Sequence, residues 1–170
     1  DIIDRNLYER GNDCRWWALN STFRKLLSQH QTDALSPEQS LELTNILQYI
    51  NGLYTVYTNI LLYDSHGKVL AVSNPSETNW IGQRIPQTEE VKRCLALTDT
   101  QSYVVSDFHQ SELYGSKFTY IYHAAVPAWQ SNQKNVGGIA LVFDSQPEFK
   151  AMLSETEPNY TNPAIKETTF

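Results

Sequence analysis

The side chains best suited to chemistry lie in the second half of the chain. Asp107, His109 and Glu112 stand close together, and two carboxylates beside an imidazole are donors a divalent metal accepts. They fall at a strand end and in a polar loop, however, so they read as solvated side chains rather than a metal site. Gly137-Gly138 has no helix after it to carry a phosphate at its N-terminus, and reads as a bulge or a tight strand entry. GxSxG, HExxH and a phosphate-cradling glycine loop are all missing, and no nucleophile has an evident base. The chain is therefore read as a non-enzyme with no cofactor. Cys14 and Cys94 show neither CxxC nor CxxCH spacing, which argues against zinc, redox and haem roles. An oxidising compartment would permit them to pair, and the sequence leaves that open.

Binding is better supported than catalysis. In the run from Lys117 to Ala128, alternation puts Phe118, Tyr120, Tyr122, Ala124 and Val126 on one strand face and Thr119, Ile121, His123 and Ala125 on the other. Tyr103, Val105 and Asp107 share a face of the preceding strand and can stand beside those tyrosines. The expected ligand site is Tyr103, Asp107, Tyr114, Tyr120 and Tyr122, with Trp80 and Arg84 from a covering loop between Asn74 and Thr88. Phenol hydroxyls and one carboxylate suit an amine or an amino-acid ammonium, and an organic acid would instead use Arg84. The competing reading is that Tyr120 and Tyr122 only pack against helices, because period-2 alternation does not say which face is which. His123 reads as a satisfied core or edge residue, and Arg15-Trp16-Trp17 as core or a helix–helix contact.

Composition narrows the partners. Thirteen basic residues against 19 acidic ones give a net charge of −6 without a Lys/Arg run, so nucleic acid is not expected. The 170 residues suit one domain. No stretch reaches the roughly 20 apolar residues of a membrane span, so any membrane contact would come through segments outside this chain. The start at Asp1-Ile2-Ile3 and the end at Thr168-Thr169-Phe170 read as the limits of a piece cut from a longer receptor.

The elements that must position these residues follow from periodicity. Leu7, Trp16, Leu19, Phe23, Leu26 and Leu27 predict one long amphipathic helix over 1–30, with Gly11 its weak point. Ser36-Pro37-Glu38-Gln39 forms a capping box and opens a second helix that ends near Gly52. A hairpin follows over 57–73 with its turn at Asp64-Ser65-His66-Gly67, then a short helix capped by Thr88. Three strands over 101–108, 117–128 and 136–144 and a closing helix over 147–153 complete an α+β order with an antiparallel five-stranded sheet.

That order resembles the Cache, or extracytoplasmic PAS-like, sensor domains. The strings that carry the likeness are Ile60-Leu61-Leu62-Tyr63-Asp64-x-x-Gly67-Lys68-Val69-Leu70 with Ser73-Asn74-Pro75, then Trp80-Ile81-Gly82, then Gly137 to Asp144. The resemblance covers 1–153 as a single module, with 154–170 as a tail or the start of a connection. It implies a periplasmic small-molecule sensor of a bacterial signal-transduction receptor, a chemoreceptor first, able to form a homodimer through the N-terminal helix. The alternative is a ligand-free structural or dimerisation module.

Overall fold

The computed structural model describes residues 2–130, 134–147 and 150. The first helical segment is two helices, α1 (Ile2–Trp17) and α2 (Ser21–His30), rather than one. The break falls at Asn20 and not at Gly11. The Asn20 carboxamide oxygen accepts from the backbone N–H groups of Thr22 and Phe23, at 2.9 and 3.2 Å, which supplies the cap that starts a new helix. Gly11 lies inside α1, where the ring of Tyr103 occupies the space a side chain would need, 2.2 Å from an added Cβ.

Helix α3 (Pro37–Leu53) opens on the expected box, with Ser36 and Gln39 bonding reciprocally. The hairpin β1 (Tyr57–Asp64) and β2 (Val69–Val72) turns at Asp64, whose carboxylate accepts from His66 and Lys68 N–H while Gly67 supplies the positive φ of 78°. A 3-10 helix over Pro75–Trp80 leads to α4 (Thr88–Leu95). The N-cap of α4 is Gln87, not Thr88, and its side chain makes no capping bond.

The strand expected over 101–108 shortens to β3 (Val104–Val105), and the loop after it holds β4 (His109–Ser111) and a 3-10 turn over Glu112–Tyr114. The run 117–128 divides at Tyr120 into β5 (Lys117–Thr119) and β6 (Ile121–Pro127), and β7 (Asn135–Phe143) follows. β4 and β5 pair only with each other; the main sheet is antiparallel in the order β2-β1-β7-β6-β3. The architecture is the expected α+β sheet of five strands. Apart from Pro147 and Lys150, the closing helix and the tail lie outside the described residues.

The sheet is buried on both sides. Ile60, Leu62, Tyr122, Ala124, Ile139 and Leu141 face α1, α2 and α3 and pack on Phe23, Leu27, Leu43 and Leu47. Leu61, Tyr63, Ile121, Ala140 and Val142 face the other way, onto Val91 and Cys94 of α4 and onto Ile85 and Leu113. Gly137 and Gly138 are small because β1 crowds them: an added Cβ would lie 2.2 Å from the Tyr63 carbonyl and 2.4 Å from the Tyr63 ring, respectively. The expected strand irregularity lies beside them, between Val126 and Pro127 of β6. Cys14 and Cys94 are free, buried thiols in the two opposite core layers.

Candidate functional site

The seven residues expected to form a site are placed on two faces and a rim. Tyr103, Tyr120 and Tyr122 all pack on the helix-side core, with Arg10 of α1 near enough to act on the Tyr122 hydroxyl. That hydroxyl is buried and unpartnered, and desolvation raises its pKa. Trp80 and Tyr114 belong to the opposite, α4-side core. The Tyr114 hydroxyl donates to Asp144 at 2.6 Å and accepts from the Gln146 N–H. Asp107 and Arg84 are exposed on the surface, and the Arg84 backbone pairs with that of Lys68 as an isolated antiparallel β-bridge.

The aromatic face of β6 therefore does not look toward the segment 74–88, as expected, but toward the N-terminal helices. Those helices offer the large apolar surface that Tyr122, Ala124 and Val126 match, and His123, on the alternate face, requires hydrogen-bond partners. Among the described residues no three His, Cys, Asp or Glu side chains converge as metal ligands. The His109 ring is bound instead to Gln87 and to the Asp107 carbonyl.

His123 finds its partners under α4. It is fully buried, its Nδ1 lies 3.0 Å from the Tyr63 hydroxyl and its Nε2 lies 2.7 Å from Gln87 Oε1. Gln87 Nε2 is 3.1 Å from His109 Nε2, and His109 Nδ1 is 2.8 Å from the Asp107 carbonyl. The donor and acceptor roles fix each other. A carbonyl oxygen only accepts and an amide NH₂ only donates. Gln87 Oε1 therefore receives the His123 Nε2–H, and Tyr63 donates to His123 Nδ1. Gln87 Nε2 donates to His109 Nε2, and His109 Nδ1–H donates to the Asp107 carbonyl. Every proton in the relay points from the core outward.

Burial, aided by the Arg93 charge, lowers the His123 pKa to about 3, so His123 is neutral. At its inner end the Cys94 thiol interacts with the Tyr63 hydroxyl, and burial pushes that thiol up to about 12. The missing cap on α4 has its explanation here, since the Gln87 amide is committed to two histidines. Tyr63, Gln87 and His123 were not among the expected site residues. The available signal was a His inside a strand whose neighbours are all apolar, together with a Gln where a helix usually opens on Ser, Thr, Asp or Asn.

Two residues along β6 from His123, Ala125 lines a cleft of about 720 Å³ between the end of α4 and the β6–β7 strand ends. Its walls carry Arg24, Asp99, Thr98 and Lys134, charges of both signs in a volume suited to a small metabolite. Two N–H groups of Arg24 hold the Pro127 and Ala128 carbonyls. The Asn135 carboxamide donates to the Leu95 and Leu97 carbonyls, at 2.9 and 2.8 Å, and so fixes the α4 end that forms one wall.

No protein-family model matches the chain, and no curated protein matches it. Solved structures do. The sensor domain of the Vibrio cholerae histidine kinase DctB superposes with a TM-score of 0.68 at 16% identity, over 85% of this chain and 51% of that one. An extracellular ligand binding receptor from Desulfohalobium retbaense gives 0.59 at 16% identity, over 92% of this chain and 27% of its own. The sensory domain of the Campylobacter jejuni chemoreceptor Tlp3 gives 0.50 at 16% identity, over 75% and 53%. The chain thus spans about half of DctB's sensor domain and a smaller share of the Desulfohalobium receptor. Its fold is that of the Cache-type sensor domains found in histidine kinases and chemoreceptors.

Proposed function

We propose that this chain is the small-molecule sensing module, over 1–153, of a bacterial signal-transduction receptor, a chemoreceptor first. On this reading it lies outside the cytoplasm, anchored by membrane segments beyond the chain, and it is not an enzyme. The observation that carries the reading is the cleft beside α4, whose lining includes Arg24, Lys134 and Asp99, in a fold shared with a histidine-kinase sensor domain and an extracellular ligand binding receptor. Charges of both signs suit a zwitterion, the carboxylate toward the cations and the ammonium toward Asp99. An amino acid or amine is thus the first ligand class, and an organic acid, held by the cations alone, the second. Of the seven residues first expected, Trp80 and Tyr114 lie on this face of the sheet and could respond to occupancy.

A thermal-shift screen of amino acids, amines and organic acids tests this. A ligand at one hundred times its Kd stabilises the fold by about 2.7 kcal/mol. Asp99→Asn should then weaken an amino-acid hit by roughly 1.5–3 kcal/mol. No shift with any class would favour the second reading, a ligand-free structural module. The observation on its side is that every side chain of the His123 relay is already satisfied within the protein.

A further inference from the structure

The relay through His123 ends at the surface, and the order of its donors is set there. Gln87 and His123 are buried, while His109 is half-buried and open to a proton from solvent. The Asp107 carbonyl only accepts, so His109 Nδ1 carries a proton in either charge state. Protonation therefore falls on Nε2, the atom 3.1 Å from Gln87 Nε2, and turns it from an acceptor into a donor. Two donors then face each other. Turning the Gln87 amide over removes the conflict with little movement of heavy atoms, because the amide oxygen and nitrogen exchange places in nearly the same outline.

We infer that His109 makes this domain a proton sensor: protonation of its Nε2 turns the Gln87 amide over and moves the His123 proton from Nε2 to Nδ1. With its oxygen toward His109, Gln87 presents its NH₂ to His123 Nε2 across the 2.7 Å contact, and His123 must accept there. Burial keeps His123 neutral, so its one proton must sit on Nδ1 and point at the Tyr63 oxygen, 3.0 Å away. The Tyr63 O–H then turns to the Cys94 thiol, with which it interacts. One proton enters from solvent at His109, while His123 releases its Nε2 proton to water and recovers one at Nδ1. Every donor inside His109 now points inward, and the added charge stays on His109. Among the described residues His109 forms no ion pair, its ring nitrogens meeting Gln87 and the Asp107 carbonyl. The charged side chains on the elements around it are Arg84 ahead of α4, Glu89, Glu90 and Arg93 on α4, Asp107 and Glu112 on either side of β4, and Lys117 on β5. These charges bear on the pH at which His109 titrates, not on which nitrogen takes the proton. Gln87 opens α4 and Cys94 lies in its last turn, so the inversion reaches both ends of the helix that walls the cleft. The inference goes beyond the sensing of a metabolite and stands whether or not that cleft takes a ligand.

Nitrogen NMR of the whole labelled chain, following the ring nitrogens of His109 and His123 from about pH 8 to about pH 5, tests the inference. At the upper end His123 should hold its proton on Nε2. As His109 protonates, the ratio of the two His123 tautomers should swing toward Nδ1–H by about tenfold or more, the worth of one donor set against another. The two changes should share one midpoint. In His109→Gln the His123 tautomer should stay the same over that range. A His123 that keeps its Nε2 proton while His109 titrates overturns the inference, since the charged ring has then swung away from Gln87. So does a His109 still neutral at about pH 5, a His123 with its proton on Nδ1 from the start, or one that takes up a second proton. A tautomer change that persists in His109→Gln overturns it too, by assigning the trigger to another group.

Discussion

The helix face and the α4 face of the sheet each bury a tyrosine from a central strand, and they treat its hydroxyl in opposite ways. Tyr122 on β6 is buried in the helix-side core with no hydrogen-bond partner for its oxygen. Tyr63 on β1 donates into a relay that runs through His123 and Gln87 to the surface at His109. One layer is specified by apolar shape, which tolerates an idle hydroxyl at a cost. The other is specified by hydrogen bonds, in which each group depends on the next.

The largest effect expected is that of Gly137→Ala. An added methyl would sit 2.2 Å from the Tyr63 backbone carbonyl, and backbone in a central strand cannot step aside. The loss should be at least about 3 kcal/mol or a failure to fold, read by urea denaturation. A near-neutral variant would show that β1 and β7 are looser than described.

Next comes pH. His123 has a folded pKa of about 3 against about 6.5 in an unfolded chain. Below pH 6.5 the unfolded chain takes up a proton that the native state refuses, so the stability this group preserves above pH 6.5 is lost as the pH falls. Between pH 7 and pH 5 the loss should be about 2 kcal/mol. Urea unfolding at both values checks it, and His123→Gln should flatten the dependence. An unchanged slope in that variant would assign the effect to other groups.

The smallest effect separates the two faces most cleanly. Tyr63→Phe removes the donor from buried His123 Nδ1 and should cost about 1–3 kcal/mol. Tyr122→Phe removes an unpartnered oxygen and should lie within about 0.5 kcal/mol of wild type, or above it. Equal losses would abolish the distinction between the layers.

Much of the frame was legible beforehand because it rests on local chemistry. The Ser36–Gln39 box, the Asp64–Gly67 turn and the alternating runs of β1 and β7 each concern residues a few positions apart. The α1–α2 break was missed although its signal, Asn20 before Ser21, is local: the apolar spacing continues through it and hides it. Of the expected site, the convergence of Tyr103, Tyr120 and Tyr122 was legible and their face was not. The strand pattern is the same whichever side meets the helices.

The sequence by itself determined the α+β order, the antiparallel sheet and the capped α3, since propensity and period act over short range. Tertiary structure alone decided which side of the sheet receives α1, α2 and α3, and hence that Tyr122 packs while His123 bonds. It also decided that Gln87 meets two histidines from β6 and β4, and that Arg24, Asp99 and Lys134 share one cleft. These groups are far apart in the chain, and only the burial of two apolar layers on opposite faces of one sheet brings them within reach of each other.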